Sequence, residues 1–132
     1  MILSLPSKAS AVARILLVDD EASIRRPLQR VLERAGHQVF TASNGREAVR
    51  LWRECSGDLV ITDIQMPEKD GLETILELRQ LSPHTPILAM SGGHPNCRVD
   101  VLADAVQLGA FRTIEKPFAI REMLEAVEQL LR

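Results

Sequence analysis

The sequence predicts an α/β domain: a doubly wound, five-stranded parallel sheet with helices on both faces. Three features point there. Five short apolar runs alternate with five longer stretches of helical spacing. That alternation makes each helix a crossover between parallel strands, and right-handed crossovers distribute the helices over both faces. Turn residues fall at several of the joints between the two kinds of segment.

Residues 1–13 read as a flexible N-terminal tail and residues 14–132 as one domain. The first strand is Ile15-Leu16-Leu17-Val18. In the first helix Ile24, Leu28, Val31, Leu32 and Ala35 share a face, and Gly36 follows as a C-cap. Pro27 conflicts with this helix unless it sits in the first turn or bends it. The second strand is Gln38-Val39-Phe40-Thr41, and Asn44-Gly45 opens the second helix, with Ala48, Val49, Leu51 and Trp52 inward. Leu59-Val60-Ile61-Thr62 is the third strand, followed by a helix that turns Leu72, Ile75, Leu76 and Leu78 to the core. The fourth strand runs from Pro86 to Met90, and its helix carries Val99, Leu102 and Val106 before Gly109. The weaker fifth run, Phe111-Arg112-Thr113-Ile114, leads to a last helix with Met123, Leu124, Val127, Leu130 and Leu131.

Composition narrows the function. The 132 residues suit a single core, and 45% of them are hydrophobic. Sixteen basic against eighteen acidic residues leave a net charge of −2, which argues against nucleic acid or an anionic membrane as partner. No apolar run approaches the roughly 18 residues of a membrane span. Met1 to Leu5 is short, lacks a basic flank and meets Pro6, so it is a poor signal peptide. Two cysteines, Cys55 and Cys97, make neither a disulfide framework nor a zinc site, and a cytoplasmic location follows. His37, His84 and His94 are scattered. Arg25, Arg26, Arg30 and Arg34 form the solvated side of the first helix.

The polar residues that matter sit where the strands end. The first run ends in Asp19-Asp20, followed by Glu21; the third in Asp63; the fourth in Ser91-Gly92-Gly93; the fifth in Lys116-Pro117. In an open parallel sheet these ends share one edge, where ligands bind. Converging carboxylates repel and call for a cation. Oxygen ligands alone favour a hard ion, Mg²⁺ above all. A lysine and a hydroxyl opposite complete a cradle for a phosphoryl group, and a carboxylate there is able to act as nucleophile.

At these residues the sequence resembles the receiver domain of bacterial two-component response regulators, of the single-domain, stand-alone type. The pieces that carry the likeness are Ile15 to Glu21, then Asp63-Ile64-Gln65-Met66-Pro67-Glu68-Lys69-Asp70-Gly71, then Met90-Ser91-Gly92, Gly109-Ala110 and Lys116-Pro117-Phe118. The resemblance implies strand order 2-1-3-4-5 and a signalling phosphoacceptor rather than an enzyme. It implies that Asp63 accepts the phosphoryl group from a sensor histidine kinase or phosphotransfer protein. It further implies that Asp20, Asp63 and the backbone carbonyl of Gln65 hold Mg²⁺, with Asp19 nearby, and that Ser91 and Lys116 contact the phosphoryl group. The Lys116–Pro117 bond is expected to be cis. Output runs through an unidentified downstream protein, by altered protein–protein contacts.

Two places depart from the family pattern. Thr113 stands at the switch position, where the family usually has Tyr or Phe, and the stretch from Ser91 to Gly109 is a few residues longer than usual. Two other readings compete. One is a pseudo-receiver that binds without phosphorylation, against which stand Asp19, Asp20, Asp63, Ser91 and Lys116. The other is an aspartyl-phosphate phosphatase, which places a second acid two residues after its nucleophile, where this chain has Gln65.

Overall fold

The structure is a computed structural model that describes residues 12–64, 71–91, 105–107 and 109–132. Its strands are β1 (Arg14–Val18), β2 (Gln38–Ala42), β3 (Leu59–Asp63), β4 (Ile87–Ser91) and β5 (Arg112–Glu115). Its helices are α1 (Ala22–Arg34), α2 (Gly45–Glu54), α3 (Gly71–Leu81) and a C-terminal helix (Ile120–Leu131). All strand pairings are parallel, and the order across the sheet is β2-β1-β3-β4-β5. This is the order the resemblance implies.

Side chains alternate across a strand, so each strand feeds two cores. Ile15, Leu17, Leu59, Ile61, Leu88 and Met90 pack with Leu28 and Leu32 of α1 and with Met123, Ala126 and Val127 of the C-terminal helix. Leu16, Val18, Val60, Ile87 and Ala89 face the other way, onto Ala48, Val49 and Trp52 of α2, Ile75 and Leu78 of α3, and Ala105. β3 and β4 are buried along their whole length. That explains why they read as continuous apolar runs rather than alternating ones.

Local signals set the joints. Asn44 Oδ1 accepts from the Glu47 amide at 2.8 Å, and Glu47 reaches back to the Ser43 amide at 2.7 Å, which satisfies two amides at the start of α2. Gly36 ends α1 at φ +100°, a conformation open to glycine at low cost. Trp52 is buried and donates from Nε1 to Ser82 Oγ at 2.7 Å, tying α2 to the residue after α3.

Several expectations are corrected. Pro27 lies inside α1, past its first turn, on the exposed side of a helix continuous over Ala22–Arg34. The missing amide costs least there, because water reaches the carbonyl it leaves free. Leu76 and Val106, expected inward, are exposed; Thr74 and Ala105 take the buried positions beside them. Ala35, also expected inward, is exposed. Ala13 belongs with the sheet rather than the tail: it is buried, and its carbonyl accepts from the Gln38 amide at 2.9 Å. Phe111, the first residue of the weak fifth run, precedes β5, as its place in that run allowed. Tail residues 1–11, Val99, Leu102, His94 and Cys97 lie outside the described residues.

Candidate functional site

Register alone brings the acidic residues together. Val18 of β1 pairs with Thr62 of β3, so the next residue on each, Asp19 and Asp63, stand side by side. Both follow the buried positions Ile15, Leu17, Leu59 and Ile61 by strand alternation, and both are buried themselves. Asp63 pairs with Met90, so Ser91 ends β4 one step further on, also buried. Ser91 pairs with Glu115, and the Lys116 amide donates to the Ser91 carbonyl at 2.7 Å. Four strand ends thereby deliver Asp19, Asp63, Ser91 and Lys116 to one edge.

Lys116 Nζ lies 2.9 Å from Asp19 Oδ2 and 3.2 Å from Asp63 Oδ2, both within hydrogen-bond reach. Burial by itself pushes the lysine pKa down. The hydrogen bond to Asp19, the charges of Asp63 and Asp19 and the bond to Asp63 outweigh it, so the ammonium sits above the ordinary lysine value and stays charged. The peptide that follows, Lys116–Pro117, is cis.

Asp20 completes the acidic group. Carboxylate oxygens of Asp19, Asp20 and Asp63 lie within 4.8 Å of one another. Their environments differ. Asp19 is fully buried and Oδ1 accepts from the Glu21 amide at 3.0 Å. Asp20 is exposed. The chemistry of this set fits Mg²⁺: every donor is a carboxylate oxygen, and one of the three carboxylates opens to solvent.

Gly71 explains part of the motif that follows Asp63. Its amide donates to the Ile64 carbonyl at 2.7 Å, and a Cβ there would overlap the Asp63 carbonyl oxygen and the Ile64 backbone. Only glycine lets the start of α3 close onto the peptide behind the central carboxylate. Gln65, whose carbonyl is an expected ligand, lies outside the described residues. Thr113 is half-buried on β5 and pairs with Ala89, two residues before Ser91.

Sequence reading missed one residue at this edge. Arg25, assigned to the solvated face of α1, donates from Nη1 to the Asp19 carbonyl at 2.8 Å. Its spacing of six residues from Asp19, within a helix that begins just after a strand-end carboxylate, was the available signal. Among the described residues, no histidine or cysteine belongs to the acidic group. His84 is exposed, His37 Nδ1 accepts from the Ala13 amide at 3.2 Å, and Cys55 lies beside Arg14. None of the helices among the described residues is long and apolar enough to cross a membrane.

Comparison with known proteins meets this geometry. The profile of the response regulator receiver domain matches residues 15–128. The chemotaxis protein CheY of Bacillus subtilis (strain 168) is 39% identical over 119 residues, which cover 89% of this chain and 97% of CheY. The regulatory protein AtoC of Escherichia coli (strain K12) is 35% identical over 122 residues. That match takes in 92% of this chain but only 26% of AtoC, so the chain spans about a quarter of that relative. A crystal structure of a response regulator receiver domain protein from Clostridium thermocellum superposes with a TM-score of 0.83 at 31% identity, covering 91% of this chain and 94% of that one. With the sheet order, the acidic strand ends and a profile match across nearly the whole domain in agreement, the chain belongs to the response regulator receiver domain family, signalling modules of two-component systems.

Proposed function

We propose that this receiver accepts a phosphoryl group on Asp63, with Mg²⁺ as cofactor, and signals in the cytoplasm by changing its protein–protein contacts. The observation that carries this reading is Lys116 Nζ at 3.2 Å from a buried Asp63 carboxylate, within an acidic group whose oxygens lie within 4.8 Å. A nucleophilic carboxylate, a cation-attracting pocket and a fixed ammonium are the parts that phosphoryl transfer needs.

An Asp63 oxygen forms the new bond to phosphorus. The phosphorus–nitrogen bond of a phosphohistidine donor, on a histidine kinase or phosphotransfer protein, breaks, and the imidazole leaves with a proton. Lys116 donates to the arriving phosphoryl oxygens, and the Ser91 hydroxyl donates from the neighbouring strand end. Asp20 and Asp63, with the Gln65 carbonyl, would hold Mg²⁺, and Asp19 would support it. The ion supplies charge neutralisation of the phosphoryl oxygens. Glu21 serves as the N-cap residue of α1 rather than as a ligand.

Intact-protein mass after incubation with acetyl phosphate and MgCl₂ tests the reading. Wild type gains one hydroxylamine-labile phosphoryl group and Asp63→Asn gains none. Equal labelling of the two proteins refutes the assignment to Asp63.

A further inference from the structure

We infer that Arg25 is a positioning residue for the metal pocket: it holds the peptide between Asp19 and Asp20 so that the Asp20 carboxylate faces Asp63. The inference rests on the Mg²⁺ reading given above.

Asp19 is tethered at each of its polar atoms. Its amide donates to the Ala42 carbonyl at 3.2 Å, Oδ1 accepts from the Glu21 amide at 3.0 Å, and Oδ2 accepts from Lys116 Nζ at 2.9 Å. Its carbonyl accepts from Arg25 Nη1 at 2.8 Å. Asp20 is the opposite case. Its carboxylate is exposed and has no hydrogen-bond partner among the described residues. Among the described residues, its direction is set through the backbone of this turn.

Two peptides flank Asp20. The one after it is fixed by the Glu21 amide bonding to Asp19 Oδ1. The one before it carries the Asp19 carbonyl, and the contact there is with the Arg25 guanidinium. The Arg25 amide also donates to the Glu21 carbonyl at 2.9 Å. One residue thus grips both ends of the Asp19–Glu21 turn, with its main chain at one end and its side chain at the other. Rotation of the Asp19–Asp20 peptide would swing Asp20 away from Asp63, and the bond to a charged donor resists that rotation.

Charge and geometry make opposite demands. A guanidinium close to the pocket repels a cation, so on charge alone its removal would tighten Mg²⁺ binding. On positioning, its removal weakens binding, because a ligand must then be ordered as the ion arrives. Supporting groups around metal ligands generally act in the second sense, typically by about 10–100-fold in affinity.

Amide chemical-shift titration with MgCl₂ separates the two. Arg25→Gln is expected to bind about tenfold more weakly than wild type, at the low end of that range because Mg²⁺ retains other ligands. Arg26→Gln removes the same charge from an exposed neighbour and is expected to stay within about twofold. Arg25→Lys keeps the charge and a donor without the planar fork, and recovers part of the loss. It carries the comparison if circular dichroism shows Arg25→Gln unfolded. In metal-free buffer the Asp20 and Glu21 amides of the Arg25 variants exchange faster than in wild type. Binding by Arg25→Gln and Arg25→Lys that matches Arg26→Gln overturns the inference while leaving the metal reading intact, provided that Asp20→Asn abolishes binding. No Mg²⁺-dependent shifts in wild type overturn both.

Discussion

Replacing Asp20 by Asn should stabilise the metal-free protein while removing its response to Mg²⁺. The perturbation keeps the shape of the side chain and deletes one charge from three carboxylates whose oxygens lie within 4.8 Å. Lys116 bonds to Asp19 and Asp63, so deleting Asp20 breaks no ion pair among the described residues. At that separation two unit charges repel by about 0.9 kcal/mol in water and about 3.5 kcal/mol at an effective dielectric constant of 20. Asp20 is exposed, which places its two repulsions toward the lower figure, and attraction to the Lys116 ammonium cancels part of them. A net relief of about 1 kcal/mol remains. For a domain of this length that corresponds to a rise in Tm of about 4 °C. Mg²⁺ at about 100 times its Kd adds about 2.7 kcal/mol, or about 10 °C, to wild type alone. Thermal unfolding followed by circular dichroism, in EDTA and in saturating MgCl₂, reads both effects. The variant should melt higher in EDTA, and the order should reverse with Mg²⁺. A variant that melts at or below wild type in EDTA refutes the electrostatic argument.

Two further outcomes concern the rest of the fold. Trp52→Phe deletes the bond from Nε1 to Ser82 Oγ and leaves a gap beneath a stack with Phe40 whose ring centroids are 6.4 Å apart. It should cost about 2 kcal/mol and lower Tm by about 7 °C, while a loss under about 2 °C would show the indole to be loosely packed. Burial lowers the His37 pKa, and its Nδ1 must be unprotonated to accept from the Ala13 amide. The unfolded chain therefore takes up the proton first as pH falls, and stability is lost from about pH 6.5 downward toward the folded pKa. Urea midpoints at pH 7.5 and 5.5 should differ more for wild type than for His37→Asn, and a ring titration at or above 6.5 by NMR would contradict this.

The fold could be read from the chain wherever one physical rule dominated. β1, β3 and β4 are apolar at successive positions because both of their faces are covered, and that pattern has few other causes. The Asn44 cap and Gly36 were visible because each backbone position admits few residue types. Helix faces were less clear. Thr74 takes a buried place on α3 while Leu76 points outward, since a stripe wider than three positions does not say which edge the sheet will cover. At the site, the convergence of the acidic strand ends was legible too, because a parallel sheet brings its strand C-termini to one edge, and Asp19, Asp20 and Asp63 do meet there. The contact of Arg25 with Asp19 was only hinted at by its spacing from the strand end, because a surface-facing arginine and a backbone-gripping one have the same helical pattern.

Thr113 bears on how such a site communicates. An aromatic ring does occur two residues earlier, at Phe111, and strand alternation would put it on the same side. The ring is engaged elsewhere. Phe111 precedes β5 and lies under the Arg79 guanidinium, 4.7 Å from the ring centroid. Arg79 also donates to the Gly109 carbonyl at 2.6 Å and to the Pro83 carbonyl at 2.6 Å, so it pins the entry of β5 to the end of α3. Gly109, at φ +132°, leaves room for that arginine: a Cβ there would lie 2.9 Å from Arg79 Nε. The two ends of β5 therefore have separate duties. Its exit carries Lys116 to the acidic pocket, and its entry is anchored at the opposite edge of the sheet by a guanidinium stacked on an aromatic ring. A β-branched threonine between them has a stiff χ1 and no ring to rotate. In this receiver β5 itself, Arg112–Glu115, places no aromatic ring beside Ser91.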